Sequence, residues 1–173
     1  PHTFYENEFG TVGVGNDDTT DERLKIVEVT PYRLESGYSD ARHPDKVEWG
    51  RKLEDDLARR DFTINALAYD IEKEELVDIY NGQKDIEEKL IRTVGKPEER
   101  FGEDALRMLR ALRLASELSF ALAHETQSAI GENANLLEKI SKERIRDEFI
   151  KIVMSENPAI ALDMAARLAV LDY

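Results

Sequence analysis

The pattern of apolar and polar positions divides the chain into a β-rich first part and a helical second part. Two β-rich runs, at residues 9–14 and 25–30, flank the polar stretch NDDTTDER and predict a hairpin. A second hairpin is predicted from ELVDIY, with IEKEE before it as the turn. From residue 85 onward the apolar spacing is helical. Such segregated runs predict an α+β fold, with a mixed sheet and helices over residues 1–84 and an all-α domain over residues 85–173.

Local start signals place several helices in the second part. A helix from about residue 103 to residue 118 follows Pro97, which can open a turn. The stretch HETQSAIGENANLLEKI predicts one broken helix or two short ones. Two later helices carry capping signals at their starts, namely Ser141 and the pair Asn157 and Pro158. The residues most simply interpreted as core are Phe62, Ile64, Leu67, Phe149, Ile152 and Val153.

One long stretch, PYRLESGYSDARHPDKVEWG at residues 31–50, shows no regular pattern. Its density of Ser, Gly, Asp and Pro predicts a loop. A structureless segment of this length inside a compact domain is typically functional or mobile. Tyr32, Tyr38 and Trp49 could stack on a base, although packing within the protein is the simpler explanation.

Composition excludes several classes of protein. The chain has 173 residues, of which 41% are hydrophobic and 35% are charged, so it can bury a core. No apolar run approaches the length of a bilayer span, and the N-terminal stretch lacks the charged and apolar regions of a signal peptide. The absence of cysteine excludes disulfides, thiolate metal sites and a cysteine nucleophile. A cytoplasmic protein without membrane partners is therefore expected.

The net charge of −13 argues against a general nucleic-acid binder, which carries a basic surface. Any polyanion must therefore be bound by local clusters of basic residues. One such cluster is Arg51, Lys52, Arg59 and Arg60, and the other is the set of arginines between residues 100 and 113. The three histidines are isolated and show no spacing typical of metal ligands.

The predicted helix FGEDALRMLRALRLA carries a charge at every third position, namely Asp104, Arg107, Arg110 and Arg113. A step of three residues turns a helix by 300°, so each charge lies about 60° back from the previous one. Asp104 and Arg107 can then reach one small ligand, with Arg110 as a near neighbour and Arg113 directed elsewhere. An exposed face with an ion pair between Asp104 and Arg107 would explain the same pattern.

The polarity of hydrogen bonding makes a more specific hypothesis possible. A carboxylate only accepts hydrogen bonds and a guanidinium only donates them. Cytosine and adenine each present an amino donor beside an acceptor ring nitrogen. Asp104 could accept a hydrogen bond from the amino group, and Arg107 could donate one to the ring nitrogen. Uracil and guanine present a carbonyl acceptor beside a ring N–H donor. Asp104 would then face an acceptor and Arg107 a donor, which costs several kcal/mol when the groups are desolvated. This acid and this arginine could therefore select C and A over U and G.

Two motifs, RRDFTINALAYD at residues 59–70 and GEDALRMLRALRLA at residues 102–115, closely resemble those of the class II tRNA nucleotidyltransferases, the CCA-adding enzymes. That family belongs to the polymerase-β-like superfamily and is close kin to bacterial poly(A) polymerases. Further matches, FGTV, VEVTPYR, YSDARHPDKVEW and KERIRDE, extend the resemblance from residue 9 to about residue 171. The resemblance implies that residues 1–84 are the downstream part of a nucleotidyltransferase head and residues 85–173 a helical neck that binds RNA.

The resemblance also implies roles for single residues. Arg60 would contact the incoming nucleotide, and Asp61 would address its ribose. Asp104 and Arg107 would read the Watson–Crick edge of CTP or ATP. The remaining nucleotide-binding residues would be Arg110 and Arg113.

Catalysis in the family transfers CMP and AMP from CTP and ATP to the tRNA 3′ end with Mg²⁺ as cofactor. Glu28 would be the third active-site carboxylate, and residues 32–49 the loop that switches from C to A addition. The GGxxRD and DxD motifs, which hold phosphate and metal in the family, do not occur in the chain. We therefore expect the downstream head and the neck of such an enzyme, either a fragment or half of a split protein, inactive alone and partnered by the missing head segment.

Simpler interpretations remain open for some of these residues. Residues 59–61 could be a charged helix end that complements the helix dipole, and Glu28 could be the solvent face of a strand. For the whole chain, one alternative is a bacterial poly(A) polymerase, which would use ATP only. Another is a catalytically dead module that binds nucleotide or RNA.

Overall fold

The computed structural model describes residues 3–5, 10–36 and 46–173. The strands in this part of the chain are β1 (Thr3–Tyr5), β2 (Val12–Gly15), β3 (Ile26–Val29), β4 (Arg33–Ser36), β5 (Lys46–Trp49), β6 (Ala68–Asp70), β7 (Glu75–Val77), β8 (Leu90–Ile91) and β9 (Ala121–Leu122). The helices are α1 (Leu53–Ala58), α2 (Gly82–Glu87), α3 (Pro97–Glu103), α4 (Leu106–Leu118), α5 (His124–Asn133), α6 (Lys142–Val153) and α7 (Pro158–Arg167). Short 3₁₀ segments lie at Glu22–Leu24, Thr63–Asn65, Ala134–Lys139 and Val170–Asp172. Most strands precede the long helices, which confirms the α+β prediction.

The first three strands form an antiparallel sheet in the order β1, β2, β3. Val12 lies opposite Val29 and Gly15 lies opposite Ile26, so the first predicted hairpin is confirmed. Along β2, half-buried and buried positions alternate, as expected of a strand that packs on one face. β3 is exposed along its whole length. The second predicted hairpin is confirmed by the antiparallel pairing of β6 with β7.

Residues 31–50 contain two strands, and the prediction of an irregular loop is wrong for these parts. β4 and β5 pair antiparallel, with Arg33 opposite Trp49 and Ser36 opposite Lys46. Each strand is only four residues long, so its alternation is too short to stand out among the surrounding Ser, Gly, Asp and Pro residues. Residues 37–45, among them Tyr38, lie outside the described part of the chain.

The helix predicted from about residue 103 to residue 118 corresponds to α4, which begins at Leu106, whereas the stretch FGEDALRMLRALRLA spans two helices in the structure. α3 ends at Glu103 and α4 begins at Leu106, while Asp104 between them has an extended backbone with φ −148° and ψ 104°. The prediction that Asp104 and Arg107 stand one turn apart on a single helix is therefore wrong. The Asp104 carboxylate accepts a hydrogen bond from the backbone N–H of Leu106 at 3.1 Å, which satisfies a free donor at the start of α4.

The later helices follow the predicted signals closely. α5 and the 3₁₀ segment after it are the two short helices expected from HETQSAIGENANLLEKI. α6 begins directly after Ser141 and α7 begins at Pro158, although the side chains of Ser141 and Asn157 make no capping hydrogen bond. In the described part of the chain, no helix is long and apolar enough to cross a membrane.

The hydrophobic core surrounds α4, which packs against α6 and α7. Met108, Ala111, Leu112 and Ala115 of this helix are fully buried. Phe62, which precedes the helical part, belongs to the same core. Burial on so much of its circumference means that a charge on α4 must be paired or must face a cavity.

Two of the predicted core residues are exposed. Phe62 and Ile152 are buried as expected, but Phe149 and Val153 of α6 are exposed by 36% and 46%. Ile152 belongs to the buried core, and the helical repeat places Phe149 and Val153, one turn apart, on another side of α6.

Residues 89–94 join the first part of the chain to the helices. The backbone N–H of Thr63 donates to the carbonyl of Arg92, and that of Val94 donates to the carbonyl of Asp61, at 2.9 and 3.1 Å. β8, in the same segment, pairs in parallel with β9, which directly follows α4. The predicted division at residue 84 stays a prediction, and α2 runs across that position.

Replacing Gly82 is expected to destabilise the fold. A Cβ atom at this position would lie 2.3 Å from the carbonyl oxygen of Thr63, which is backbone and cannot turn away. We expect Gly82→Ala to lower the free energy of unfolding by about 1–3 kcal/mol, as measured by urea denaturation followed by circular dichroism. Gly102→Ala is the matched control, because a Cβ there meets nothing within 4 Å, and it should raise stability by about 0.5–1 kcal/mol. Equal effects of the two substitutions would contradict this explanation.

Candidate functional site

A cavity of about 360 Å³ lies between the end of α1 and the start of α4. Four of the predicted nucleotide-binding residues line it, namely Arg60, Asp61, Arg107 and Arg110. Two residues that the sequence did not assign to the site, Arg59 and Asn65, complete the lining. The segment after α1 and one side of α4 thus bring four arginines and one carboxylate to a single cavity.

Arg107 is held firmly in the cavity wall. Its side chain is 11% exposed, and its Nη1 donates to Glu103 Oε2 at 2.5 Å and to the carbonyl of Arg100 at 3.2 Å. Its Nη2 donates to the carbonyl of Arg59 at 3.5 Å. These contacts employ three of the five N–H donors of the guanidinium group and fix its plane.

Asp61 is buried and is the acidic member of the cavity. Its Oδ1 accepts hydrogen bonds from the backbone N–H of Phe62 at 2.8 Å and from Asn65 Nδ2 at 3.1 Å. Its Oδ2 lies 2.8 Å from Arg110 Nη2, and the Arg110 side chain is 40% exposed. Asp61 is therefore fixed by its own segment, whereas Arg110 reaches it from α4 with one side toward solvent.

Asp56, which the sequence reasoning missed, anchors the arginines at the end of α1. Its Oδ1 accepts from Arg59 at 2.6 and 2.9 Å, and its Oδ2 accepts from Arg60 at 3.1 Å. Burial alone would raise the pKa of this carboxyl, but the hydrogen bonds and charges of Arg59 and Arg60 outweigh burial and lower the pKa. An acid three and four positions before two arginines was the available signal in LEDDLARR.

Asp104 and Arg113 do not line this cavity. The Asp104 side chain is 15% exposed, and its Oδ2 accepts a hydrogen bond from Arg144 Nη2 of α6 at 2.8 Å. Arg113 lies further along α4, where its Nε donates to Glu148 Oε1 at 2.6 Å and its Nη1 donates to Glu117 Oε2 at 2.7 Å. The role of both residues in nucleotide binding stays a prediction.

Glu28 lines a second cavity of about 640 Å³, which shares Arg59 and Arg60 with the first. The side chain is exposed on β3, opposite Gly13 of β2. Asp56 lines the same cavity but is bound by the two arginines. Glu28 is therefore brought to the same region as Arg60, on the other side of the arginine pair.

The described residues do not form a magnesium site by themselves. Among residues 3–5, 10–36 and 46–173, no group of three His, Cys, Asp or Glu side chains is placed to hold a metal ion. Magnesium needs several oxygen ligands in an octahedral arrangement, and Glu28 supplies one carboxylate. We therefore assign no catalytic step to a metal held by these residues.

Comparison with known families identifies the chain. The profile of the poly A polymerase head domain family matches residues 2–92, more than half of the chain. The chain belongs to this family. A second profile, described as a probable RNA and SrmB-binding site of polymerase A, matches residues 119–173. The first match includes the motif at residues 59–70, and the motif at residues 102–115 lies between the two matches; together they confirm the family resemblance.

Curated members of the family include CCA-adding enzymes similar to this chain. The CCA-adding enzyme of Ligilactobacillus salivarius is 53% identical over 131 residues, which cover 76% of this chain and 32% of the relative. That of Lactobacillus johnsonii is 56% identical over 125 residues, covering 72% and 31%. The chain spans about a third of the length of the curated relatives it matches.

Solved structures of the family share the fold. The crystal structure of the Bacillus stearothermophilus CCA-adding enzyme in complex with CTP is 41% identical, with a TM-score of 0.83 over 98% of this chain and 39% of that one. A tRNA nucleotidyltransferase complexed with a primer tRNA and an incoming ATP analogue is 28% identical, with a TM-score of 0.80 over 99% and 46%.

The ion pairs of Glu148 predict a pH-dependent contribution to stability. Burial alone would raise its pKa, but hydrogen bonds and charges from Arg113 and Lys151 outweigh burial and lower the pKa. A carboxyl with a lowered pKa stabilises the fold fully above its unfolded pKa, and this contribution is lost as the pH falls through the lowered value. We expect Glu148→Gln to cost about 2 kcal/mol of unfolding free energy at pH 7 and much less in acid.

Urea denaturation at a series of pH values measures this difference. Asp147→Asn is the matched control, because Asp147 is 60% exposed and pairs with the exposed Arg146. It should change stability by less than about 0.5 kcal/mol at any pH. A cost of Glu148→Gln that does not diminish in acid would contradict the ion-pair explanation.

Proposed function

We propose that this chain is the nucleotide-recognition part of a tRNA nucleotidyltransferase of the CCA-adding type, which transfers CMP and AMP from CTP and ATP to the tRNA 3′ end. The observation that carries the proposal is the convergence of Arg60, Asp61, Arg107 and Arg110 on one cavity. Support comes from similarity over nearly the whole chain to a CCA-adding enzyme in complex with CTP.

The base would be selected by hydrogen-bond polarity. Arg107, held rigidly by Glu103, donates to the acceptor ring nitrogen that cytosine and adenine share. Asp104 accepts from the adjacent amino group. Its two oxygens offer about four acceptor sites, of which Leu106 and Arg144 occupy two, so acceptor capacity remains for a base. Uracil and guanine would present an acceptor to Asp104 and a donor to Arg107.

The ribose and the phosphates of the nucleotide would be bound by other residues of the cavity. Arg110, partly exposed beside Asp61, and Arg60, held by Asp56, offer positive charge to an anionic ligand. Asp61 accepts from a ribose hydroxyl on Oδ2, which lies 2.8 Å from Arg110 Nη2 and has no hydrogen-bond partner among the described residues. Arg113 stays a predicted nucleotide ligand, although Glu148 and Glu117 hold it at the far end of α4.

Catalysis would require further segments of the enzyme together with these residues. Glu28 would be one of three active-site carboxylates, and Mg²⁺ on those carboxylates would supply charge stabilisation for phosphoryl transfer. The helical part after residue 84 would bind RNA. The 3′ hydroxyl of tRNA would approach from the side of the larger cavity, where Glu28 lies.

Incorporation assays on a completed protein test the function. In the completed protein, this chain replaces the matching 39% of the Bacillus stearothermophilus CCA-adding enzyme. Each nucleoside triphosphate is supplied separately, with tRNA that lacks its 3′ end as the acceptor. We expect CMP and AMP to be incorporated, and UMP and GMP to be excluded. Runs of AMP alone would favour the poly(A) polymerase alternative. A folded protein that binds nucleotide without turnover would favour the catalytically dead module.

The chain of 173 residues by itself is expected to transfer no nucleotide. Its described residues do not form a metal site, and phosphoryl transfer depends on metal-bridged oxygens. The same incorporation assay, with Mg²⁺ present, checks this expectation. Robust addition of CCA by the isolated chain would contradict it.

Asp104→Ala and Arg107→Ala are expected to degrade base selection more than triphosphate affinity. Each removes a charged hydrogen bond worth about 1.5–3 kcal/mol, so the preference for ATP over GTP and for CTP over UTP should fall by roughly 10- to 150-fold. The ratio of kcat/KM values in the completed protein measures it. Arg167→Ala is the control, since Arg167 is 75% exposed and pairs only with Asp163 on the same helix within the described contacts. Intact base preference in both variants would refute the template assignment.

A further inference from the structure

We propose that Asp56 is a positioning residue, which keeps Arg59 and Arg60 side by side where the phosphates of the incoming nucleotide bind. This inference rests on the proposed function. Asp56 lies in α1, outside both sequence motifs, and its carboxylate is the acidic group that the two arginines share.

The Asp56 carboxylate is the fixed member of this group. Its Oδ1 accepts hydrogen bonds from Arg59 Nε at 2.9 Å, from Arg59 Nη2 at 2.6 Å and from the backbone N–H of Arg33 at 3.3 Å. Its Oδ2 accepts from Arg60 Nη2 at 3.1 Å. The Asp56 side chain is only 8% exposed and is bound to the backbone of β4, so the arginines take their place from the carboxylate.

Arg59 and Arg60 both line the smaller and the larger cavity, so the pair forms the boundary between the two. Two neighbouring guanidinium groups repel each other unless a negative charge lies between them. Asp56, three and four positions earlier in the sequence, is one helical turn away and reaches both. It employs one of the five N–H donors of Arg60, whose side chain is 45% exposed, so other donors remain for phosphate oxygens.

A simple counter-charge would have the opposite consequence for phosphate binding. Burial alone would raise the pKa of Asp56, but Arg59 and Arg60 outweigh burial and lower the pKa, so the group is ionised at neutral pH. Asp56 also lines the larger cavity, where its charge would repel a phosphate. If it only neutralised the arginines, its removal would strengthen phosphate binding. If it positions them, its removal weakens that binding.

The substitution Asp56→Asn distinguishes the two consequences by the sign of the change. Asparagine has one acceptor oxygen and an amide group that donates. It can therefore satisfy one of the two arginines while it turns a donor toward the other. The negative charge is lost and the side chain keeps its size, so a weaker affinity for phosphate reports the misplaced arginines.

Steady-state kinetics of the completed protein with CTP and ATP test the inference. We expect Asp56→Asn to raise KM for both nucleotides by about tenfold, with selectivity for ATP over GTP changed by less than about twofold. The inhibition constant of inorganic tripolyphosphate should rise in parallel, and that of cytidine should not. A general structural defect would not separate these two inhibitors. Glu54→Gln is the matched control, because Glu54 is an exposed acid of the same helix with no ion pair among the described residues.

Several results would overturn the positioning role. An unchanged KM in Asp56→Asn would do so, and a lower KM would assign Asp56 as a counter-charge instead. An equal rise in the inhibition constants of cytidine and tripolyphosphate would make its role structural. If thermal unfolding shows that Asp56→Asn is not folded, Asp56→Glu replaces it, since it keeps the charge and moves the carboxylate by roughly 1.5 Å. Positioning then predicts a rise in KM of at least about threefold, and an unchanged KM contradicts it.

Equilibrium binding of tripolyphosphate to the completed protein, measured by calorimetry, separates this inference from the proposed function because it needs no turnover. If the unsubstituted protein incorporates CMP and AMP and Asp56→Asn binds tripolyphosphate as well as it does, the positioning role is wrong and the proposed function stands. If the unsubstituted protein incorporates neither, and Asp56→Asn weakens tripolyphosphate binding about tenfold, the proposed function fails and the positioning role stands.

A double-mutant cycle shows whether the effect passes through the arginine pair. In an Arg60→Ala background, Asp56→Asn should weaken tripolyphosphate binding by a smaller factor than in the unsubstituted protein, because part of its effect acts through Arg60. Equal factors in the two backgrounds would overturn the inference.

Discussion

The burial of α4 on most of its circumference is the constraint on which the rest of the structure depends. Met108, Ala111, Leu112 and Ala115 leave no room for an unpaired charge within the core. The three arginines of the helix therefore bind carboxylates from three other places: Glu103 of α3, Asp61 after α1, and Glu148 of α6.

Four of the residues predicted to bind nucleotide lie within two short segments, and their role in binding stays a prediction. RRDFTINA and the arginines of α4 each carry local spacing, and four of the predicted residues do meet in one cavity. The hairpins and most helix starts were also predictable, since turn and capping signals are local. The break at Asp104 was not, because Gly102 alone is a weak signal and both flanking stretches are good helix formers. Contacts with Leu106 and Arg144 decide the conformation there.

The partners of the arginines could not be read from the sequence for a similar reason. Arg113 with Glu148, and Asp104 with Arg144, are separated by 35 and 40 positions, and only the packing of α6 on α4 brings them together. Asp56 is close in sequence to the arginines that it binds, but the neighbouring Asp55 is an equally good candidate partner by spacing. Only the burial of Asp56 in the folded structure distinguishes the two. Local patterns therefore show which charges are present, and tertiary packing determines which of them remain available to a ligand.

The segment at residues 89–94 has a mechanical consequence for the smaller cavity. It is hydrogen-bonded on one side to the backbone of Asp61 and Thr63, and on the other to β9 at the end of α4. Both walls of the cavity are thus fastened to the same few residues. Moving the segment after α1 away from α4 would therefore strain or break backbone hydrogen bonds. Ligands of different size must therefore be accommodated by the partly exposed side chains of Arg60 and Arg110, because Arg107 is held by Glu103.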